Sequence, residues 1–419
     1  MRIERPLYLS KLISRMGTDQ VKIVTGVRRC GKSYLVFTLF KEYLVSHGTA
    51  ASHIIEMAFD RYSNRRYQDP NVFMGYVEER LAAAPDGPRY ILLDEVQLLG
   101  DFSAVLIDLI ARENVDVFVT GSNARLLSKD IVTEFRGRGD EIEMRPLSFA
   151  EFMTTFDGNR EAGWQSYLTY GGLPAVALRP NAQDRVDYLT NLFSEIYLTD
   201  IAEHSLVRNE QALGETLDVV ASSIGSLTNP SRLANTFGSV THARIRPETV
   251  SRYLELFCDS FLIEQAVRFD IRGNRYIGTP SKYYFIDLGL RNARLNFRQV
   301  EPTHLMENAI YNELRTRGYG VDVGAIETSE RNQAGSYVRK QLEVDFVCNR
   351  GSERCYIQSA YSLPDEAKLD QEQRPLARID DSFRKVIVVH DPVEPHYTPK
   401  GVLVLSLYDF LLDANSLHM

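Results

Sequence analysis

A glycine-rich segment early in the chain carries the residue types that bind phosphate groups. The sequence GVRRCGKS fits the pattern G-x-x-x-x-G-K-[ST], the P-loop or Walker A motif. In this motif the backbone N–H groups point inward at the phosphates, and the N-terminus of the next helix adds partial positive charge. The residues predicted to contact a nucleotide are Gly26, Val27, Arg28, Arg29, Cys30, Gly31, Lys32, Ser33 and Tyr34. We expect Lys32 to reach the β- and γ-phosphates and the Ser33 hydroxyl to coordinate Mg²⁺.

Two adjacent carboxylates end an apolar segment farther along the chain. The segment YILLDE contains four mostly apolar residues followed by Asp94 and Glu95. We expect Asp94 to hold Mg²⁺ together with Ser33, and Glu95 to polarise an attacking water molecule. The pattern is weak by itself, but a phosphate site needs a second anchor for its metal ion. After a P-loop, the Asp-Glu pair therefore favours hydrolysis of ATP over phosphoryl transfer to a small substrate.

Three further residues are candidates for contact with the γ-phosphate. Ser122 lies in TGSN, directly after the apolar segment VDVFV, where small polar side chains suit a phosphate sensor. The alternative for this segment is an ordinary turn. Arg136 and Arg138, in RGRG, suit an arginine finger that acts within or between subunits. The alternative for them is a solvated basic loop.

Short apolar runs alternate with amphipathic stretches around these motifs, which is typical of a parallel sheet with crossover helices. The predicted strands are Val21–Thr25, His53–Phe59, Tyr90–Leu93, Val115–Thr120 and Glu141–Arg145. Predicted helices lie between them, near Ser33–His47, Asn71–Ala83 and Phe102–Glu113. Farther on, Ser148 and Glu151 have the spacing of a capping box, which predicts the start of another helix.

The segment from 205 to 300 changes character. Three helical patterns, Leu213–Ile224, Ser231–Thr236 and Pro247–Phe261, precede the strand-like Tyr283–Asp287, and this order favours a winged helix-turn-helix. Arg244, Arg246 and Arg252 flank or lie on its third helix, where they could contact DNA phosphates. A lid or protein-interaction module is the alternative, since apolar residues dominate one face of that helix.

Composition limits the class of protein. The chain has 419 residues, 44% of them hydrophobic and 25% charged, as expected of a globular protein with several domains. Its net charge of −8 argues against a blanket nucleic-acid-binding surface. The four cysteines form no CxxC pair, so neither a disulfide framework nor a zinc site is predicted. We find no signal peptide and no apolar stretch long enough to span a membrane, and we expect a cytoplasmic location.

Five motifs in this order carry a family resemblance: GVRRCGKS, YILLDEVQ, VTGSNARLL, GRGDEIEMRPLSFAEF and YGGLPAV. The chain resembles the prokaryotic AAA-type ATPases that have a C-terminal domain of unknown function. The resemblance implies an α/β fold with a P-loop ATPase core and helical extension at 1–204. It also implies a winged-helix-like domain at 205–300 and an α/β domain similar to restriction endonucleases at 301–419.

The last domain can be tested against nuclease chemistry. Nucleases of the PD-(D/E)xK type need a helix acid, a strand-end Asp, and a D/E-x-K element whose lysine stabilises the attacking water. Glu307 and Asp345 match the first two positions, but Gln358 and Ala360 replace the remaining acid and the lysine. We therefore expect an inactive relative of these nucleases. A migrated lysine, Lys340 or Lys368, is the alternative that would keep cleavage.

These observations favour a Mg²⁺-dependent ATPase that uses ATP as a conformational switch. Two alternatives stay open, a nucleotide-gated DNA-binding regulator with slow or no turnover and an ATP-dependent nuclease. A P-loop kinase would need an acceptor pocket that we do not find in the sequence. The expected ligands are ATP, ADP and Mg²⁺, with a protein partner or self-association, DNA through the winged helix, and no membrane.

Overall fold

The computed structural model describes residues 2–121, 137–193, 201, 207, 209–241, 244–299, 301–331 and 337–418. The chain divides into two compact units, each with its own sheet. The first unit comprises Met1–Pro146 with Asp259–Phe261, and the second comprises Leu147–Cys258 with Leu262–Met419. Among the helices described, none is both long and apolar enough to cross a membrane.

The first unit contains a five-stranded parallel sheet. Its strands are β1 (Val21–Thr25), β2 (Ile54–Ala58), β3 (Arg89–Asp94), β4 (Val115–Thr120) and β5 (Gly139–Glu143). They lie in the order β2-β3-β4-β1-β5, and every neighbouring pair is parallel. The predicted parallel α/β sheet is therefore confirmed, with strand ends that differ from the predicted ones by at most two residues.

Helices supply the apolar side chains that bury this sheet. They are Pro6–Ile13, a helix from Lys32 to Ser46 with a wider π turn over Leu35–Phe40, Pro70–Ala83 and Phe102–Ile110, with 3-10 turns at Ala51–His53, Tyr62–Gln68 and Val96–Leu98. Alternate residues of β1, β3 and β4 share one core cluster with Phe73 and Leu106. Phe118 of β4 instead contacts Phe40, with ring centroids 4.4 Å apart. Successive side chains of β4 point to opposite faces of the sheet, and both faces are buried.

An eight-stranded mixed sheet dominates the second unit. Its strands are β6 (Ile263–Asp270), β7 (Arg275–Phe285), β8 (Gly320–Arg331), β9 (Tyr337–Arg350), β10 (Glu353–Ala360), β11 (Arg384–Val389), β12 (His396–Tyr397) and β13 (Leu403–Ser406). Their order is β12-β13-β11-β10-β9-β8-β6-β7. The pairs β6–β8, β10–β11 and β11–β13 are parallel, and the others are antiparallel.

The helices of the second unit precede and connect these strands. They are Phe149–Met153, Arg160–Tyr170, Pro174–Ala177, Ala182–Asn191, Glu210–Ser222, Pro230–Thr241, Pro247–Asp259, Leu288–Arg294, Pro302–Thr316, Glu366–Leu376 and Leu407–Leu412, with a 3-10 turn at Ser416–His418. The predicted capping box is present at the first of them. Ser148 Oγ accepts from the Glu151 N–H at 3.2 Å, and the Ser148 N–H donates to Glu151 Oε2 at 3.0 Å.

Three helices and a hairpin occur at 210–285, in the order expected for a winged helix-turn-helix. The hairpin β6–β7 is part of a larger sheet, because β6 also pairs in parallel with β8, with Arg268 opposite Val323. Strands on both sides of residue 300, the boundary expected between two domains, therefore lie in one sheet. The physical reason is that an isolated two-stranded hairpin is only marginally stable, whereas added strands satisfy its backbone groups. The winged-helix assignment stays a prediction.

A buried carboxylate explains the motif YGGLP. Asp287 accepts hydrogen bonds from the N–H groups of Gly172 at 2.7 Å and Leu290 at 3.0 Å, so it caps helix Leu288–Arg294 and holds the glycine turn. Gly171 has φ +74°, and a Cβ there would lie 2.3 Å from Asp287 Oδ1. Glycine is required at this position because the carboxylate fills the space of a side chain.

Asp287 gives the second unit a pH-dependent stability. Burial raises the pKa of Asp287 to about 6, although the N–H donors of Gly172 and Leu290 lower it. Because the folded state binds this proton more tightly than the unfolded state does, the free energy of unfolding falls as the pH rises from 4 to 6. We expect the stability of the wild type relative to Asp287→Asn to fall by about 2 kcal/mol over this range. Urea unfolding of both proteins from pH 4 to 7 measures it, and a pH-independent difference would contradict it.

Candidate functional site

The order of the first sheet brings two of the predicted motifs to one edge. Strand β4 lies between β1 and β3, with Val24 opposite Thr120 and Leu93 opposite Val119. Because all three strands are parallel, their carboxyl ends meet at the same edge of the sheet. The P-loop leaves β1 there, and Asp94 ends β3 there. The two motifs are therefore one strand apart, with the end of β4 between them.

The P-loop turns tightly between β1 and its helix. Gly26 has φ +134° and Gly31 has φ +103°, both outside the range that other residues adopt readily. A Cβ on Gly26 would lie 2.0 Å from the backbone oxygen of Met144, so this glycine also allows a close backbone approach. Lys32 is buried, and its Nζ donates to the carbonyls of Gly26 at 2.8 Å and Val27 at 3.1 Å. The lysine ammonium thus lies within the loop that the sequence predicts to hold phosphates.

An arginine that the sequence analysis missed supports the loop from behind. Arg5 is buried, and its guanidinium donates to the carbonyls of Cys30 at 3.2 Å and Arg145 at 2.7 Å. It therefore joins the P-loop to the segment after β5. The Cys30 thiol donates to Met144 O at 3.4 Å and strengthens the same link. Arg5 lies far from the motif in sequence and has no local pattern that would reveal this role.

Asp94 receives two hydroxyl groups from different parts of the chain. Ser33 Oγ donates to Asp94 Oδ1 at 2.8 Å, and Thr120 Oγ1 donates to the same oxygen. The carboxylate is only 7% exposed, and burial raises its pKa, while the hydrogen bonds from Thr120 and Ser33 lower it. A serine hydroxyl beside a carboxylate is a set of hard oxygen ligands that suits Mg²⁺. The two residues predicted to hold the metal are therefore together.

Glu95 is positioned by its backbone as much as by its side chain. It has φ +51°, a left-handed conformation that costs a non-glycine residue energy and is often found at functional sites. Its N–H donates to Thr120 Oγ1 at 3.2 Å, and Gln97 Nε2 donates to Glu95 Oε2. Thr120 thus contacts both acidic residues of the pair. Thr120 is the first residue of TGSN, the segment whose small polar side chains are predicted to sense the γ-phosphate, and its contact with the acidic pair is not evident from the sequence.

The remaining predicted contacts do not join this group. Arg138 precedes β5, and its carbonyl accepts from the Val21 N–H at 2.8 Å, so it lies at the amino edge of the sheet. The carboxyl edge is the length of β1 away, roughly 13 Å. Arg138 is exposed there and lines a cavity of about 840 Å³. Arg138 therefore does not join the P-loop and the acidic pair in this structure, and its role as an arginine finger stays a prediction. Ser122 and Arg136 lie outside the described residues.

The arginines expected to contact DNA lie at the surface of the second unit. Arg244, Arg246 and Arg252 are exposed, at or before helix Pro247–Asp259. The opposite face of that helix is buried through Tyr253 and neighbouring apolar residues. This arrangement fits a DNA-contacting helix and a protein-interaction module equally well, and the DNA contact stays a prediction.

Two family models match the chain. Residues 18–153 match an AAA domain, and residues 161–301 match a domain of unknown function, DUF8612. The first match contains the P-loop, Asp94, Glu95 and Thr120, and it confirms the expected AAA-type, P-loop character of this part of the chain. Neither match extends past residue 301, so the predicted nuclease-like character of the C-terminal part stays a prediction.

The chain is also similar to whole proteins. It is 31% identical over 415 residues to an uncharacterized protein of Haemophilus influenzae, with 98% of each chain covered. It is 24% identical over 395 residues to the uncharacterized protein MJ1544 of Methanocaldococcus jannaschii, covering 89% of this chain and 83% of that protein. The solved structure of the Aeropyrum pernix ORC1 protein in complex with DNA aligns at 15% identity over 70% of this chain and 92% of that chain. Its TM-score is 0.29, too low to indicate a shared fold.

The close approach of Gly26 to the Met144 backbone allows the geometry of the P-loop to be tested. A methyl group at this position would overlap the Met144 backbone, which cannot move without shifting β5. We expect Gly26→Ala to lower the free energy of unfolding of the first unit by about 3 kcal/mol or more. Gly48→Ala is the matched control, because Gly48 also has a positive φ, +93°, but has nothing within 4 Å of the added carbon. The control should lose about 1 kcal/mol in chemical unfolding. Equal losses in the two variants would argue against the close contact.

Proposed function

This chain belongs to the same protein family as the Haemophilus influenzae relative, and we propose that it is an ATPase that hydrolyses ATP to ADP and phosphate with Mg²⁺. The AAA domain at 18–153 supports nucleotide binding. The observation that carries the proposal is the hydrogen bond from Ser33 Oγ to Asp94 Oδ1, which joins the P-loop to the acidic end of β3. A phosphate-bound metal ion needs ligands from both motifs, and the fold brings these two together.

Phosphate binding falls to the P-loop. Its backbone N–H groups surround the phosphates, and the Lys32 ammonium exchanges its contacts with the Gly26 and Val27 carbonyls for the β- and γ-phosphate oxygens. The loop keeps its shape during this exchange because Arg5 holds the Cys30 carbonyl. Positive charge is thereby placed where negative charge accumulates on the leaving phosphate groups.

Ser33 and Asp94 would hold the metal ion. Mg²⁺, when bound there, would supply positive charge that neutralises the phosphate groups. Both residues supply oxygen ligands, and Asp94 must be ionised to do so. Because burial raises the pKa of Asp94, this ligand is lost at a less acidic pH than an exposed aspartate would be. The hydroxyl of Thr120 favours the ionised form and limits that loss.

Glu95 orients the attacking water. Gln97 donates to one carboxylate oxygen of Glu95, and Thr120 accepts from the Glu95 N–H, so both ends of the residue are fixed. Thr120 contacts Asp94 and Glu95 together, and any movement of either acid on nucleotide binding is transmitted to the end of β4. This is the local step from which we expect a nucleotide-driven conformational switch to start.

Steady-state hydrolysis of ATP tests the proposal. We expect Lys32→Ala to lose at least about 100-fold in rate, because a preorganised positive charge at the phosphates is removed. Glu95→Gln should keep ATP binding and lose turnover, because only the carboxylate that orients water is neutralised. The control is Lys41→Ala, which removes a lysine of the same helix that forms an ion pair with Glu56 at 2.5 Å.

The control should hydrolyse ATP at the wild-type rate. A wild-type protein that binds ATP but does not turn it over, with Mg²⁺ present, would rule out the hydrolase and leave a nucleotide-sensing protein. A parallel series with duplex DNA tests the DNA-regulator alternative, which requires a change in rate or DNA retention that weakens steeply with salt.

Thr120 gives a second, more specific test. Thr120→Val keeps the shape of the side chain but removes the hydroxyl that contacts Asp94 and Glu95. We expect the rate of hydrolysis to fall about 10- to 100-fold, the usual cost of losing an orienting group, with nucleotide affinity little changed. Thr120→Ser keeps the hydroxyl and should stay close to the wild type. If valine and serine give the same rate, Thr120 does not position the acidic pair.

A further inference from the structure

Three carboxylates of the second unit surround one lysine. Lys282 Nζ lies 2.8 Å from Glu307 Oε1, 2.8 Å from Glu343 Oε1 and 3.5 Å from Asp345 Oδ1. These residues come from β7, helix Pro302–Thr316 and β9. We call these four residues the carboxylate centre. Lys282 is only 3% exposed, so its ammonium is held among the three acids and away from solvent.

The centre contains the two acids that match a metal-dependent nuclease. Glu307 and Asp345 were predicted from that pattern, and the structure brings them to the same ammonium group. The lysine that lies there is neither of the two considered from the sequence. Lys368 forms an ion pair with Glu372 at 2.6 Å, and the side chain of Lys340 lies outside the described part of the chain. Lys282, on a different strand, is the residue that sequence reasoning missed.

Several carboxylate oxygens of the centre already accept hydrogen bonds. Glu307 Oε1 accepts from Lys282 at 2.8 Å and from the Tyr284 hydroxyl at 2.6 Å, which uses both lone pairs of that oxygen. Asp345 Oδ1 faces the same ammonium, and Asp345 Oδ2 accepts from the Ser359 N–H at 2.9 Å. A divalent ion would need these oxygens at about 2.0–2.6 Å, at the place where the ammonium lies. Among the described residues, no group of three or more His, Cys, Asp or Glu side chains is arranged to hold a metal ion.

We propose that the Lys282 ammonium takes the place of the divalent cation in this centre. Three carboxylate oxygens lie 2.8–3.5 Å from its Nζ, so the chain itself supplies the positive charge that balances these acids. The centre is then a fixed ionic joint between β7, β9 and helix Pro302–Thr316, and it does not cleave nucleic acid. The residues present do not fit the metal that the nuclease resemblance implies.

The protonation of the centre supports this assignment. Burial alone lowers the pKa of Lys282, but the charges of Glu307, Asp345 and Glu343 outweigh it and raise the pKa above its ordinary value, so the lysine stays charged. The pKa of Asp345 is raised to about 7, chiefly by burial; Lys282 lowers it and Glu307 raises it. Removing the ammonium would therefore leave the acids without their nearest cation, in a site that only another cation or protons could stabilise.

Manganese binding tests the proposal directly. The full-length chain is used without nucleotide and with Asp94→Asn, which removes the metal ligand proposed for the first unit. Bound Mn²⁺ is counted by electron paramagnetic resonance during a titration. With Lys282 intact we expect no Mn²⁺ at the carboxylate centre. Lys282→Met, which keeps the length of the side chain without its charge, should gain one equivalent of Mn²⁺ per chain. Lys282→Met combined with Glu307→Gln should lose that equivalent again.

Thermal unfolding provides the second readout. In EDTA, the protein with Asp94→Asn and Lys282→Met should melt at a lower temperature than the parent protein, which carries Asp94→Asn alone. Mn²⁺ should raise its melting temperature again, because the ion binds only the folded state. The melting of the parent should be unaffected by Mn²⁺. If Lys282→Met fails to fold, measurements on the parent protein alone still test the proposal. Mn²⁺ binding or plasmid cleavage by the parent that disappears on Glu307→Gln would overturn the proposal, as would a folded Lys282→Met protein that gains no Mn²⁺.

Discussion

Asp94 Oδ1 accepts hydrogen bonds from two hydroxyl groups, and this shared acceptor is the contact on which the nucleotide site depends. Ser33 brings the P-loop to it, and Thr120 brings the end of β4. The contact exists only because β4 lies between β1 and β3 and all three strands are parallel. The buried core beneath the sheet keeps the strand ends in register, and the burial that does so also raises the pKa of Asp94. The packing of the sheet and the pKa of Asp94 therefore have the same physical origin.

The parts of the fold that were predicted from the sequence have local causes. The strand VKIVT is a short apolar run directly before the glycine-rich motif, and the capping box needs only Ser148 and Glu151, three residues apart. The P-loop and the acidic pair were likewise found from residue types at fixed spacing. The order of the strands could not be read in the same way, because pairing between distant segments depends on the whole fold rather than on a local pattern.

Long-range contacts explain what the sequence analysis missed. The role of Arg5 depends on hydrogen bonds to carbonyls that lie 25 and 140 residues farther along the chain. From the sequence, Lys282 would be taken for a solvent-facing residue of a strand, because no acidic residue lies within four positions of it. Its partners Glu307 and Asp345 lie 25 and 63 residues farther along. A lysine in a strand becomes a buried ionic joint only when a helix and another strand deliver acids to it.

The parallel pairing of β6 with β8 has a consequence for the order in which the chain takes shape. Arg268 and its partner Val323 are 55 positions apart, so the hairpin β6–β7 leaves the ribosome well before the strand that covers its open edge. Until then the backbone N–H and C=O groups of β6 remain bare and able to pair with another chain. A fragment that stops at residue 301, where the second family match ends, would keep that edge permanently open. Dissection of this protein at that boundary therefore yields a piece that lacks its neighbouring strand, and the second unit is best produced whole.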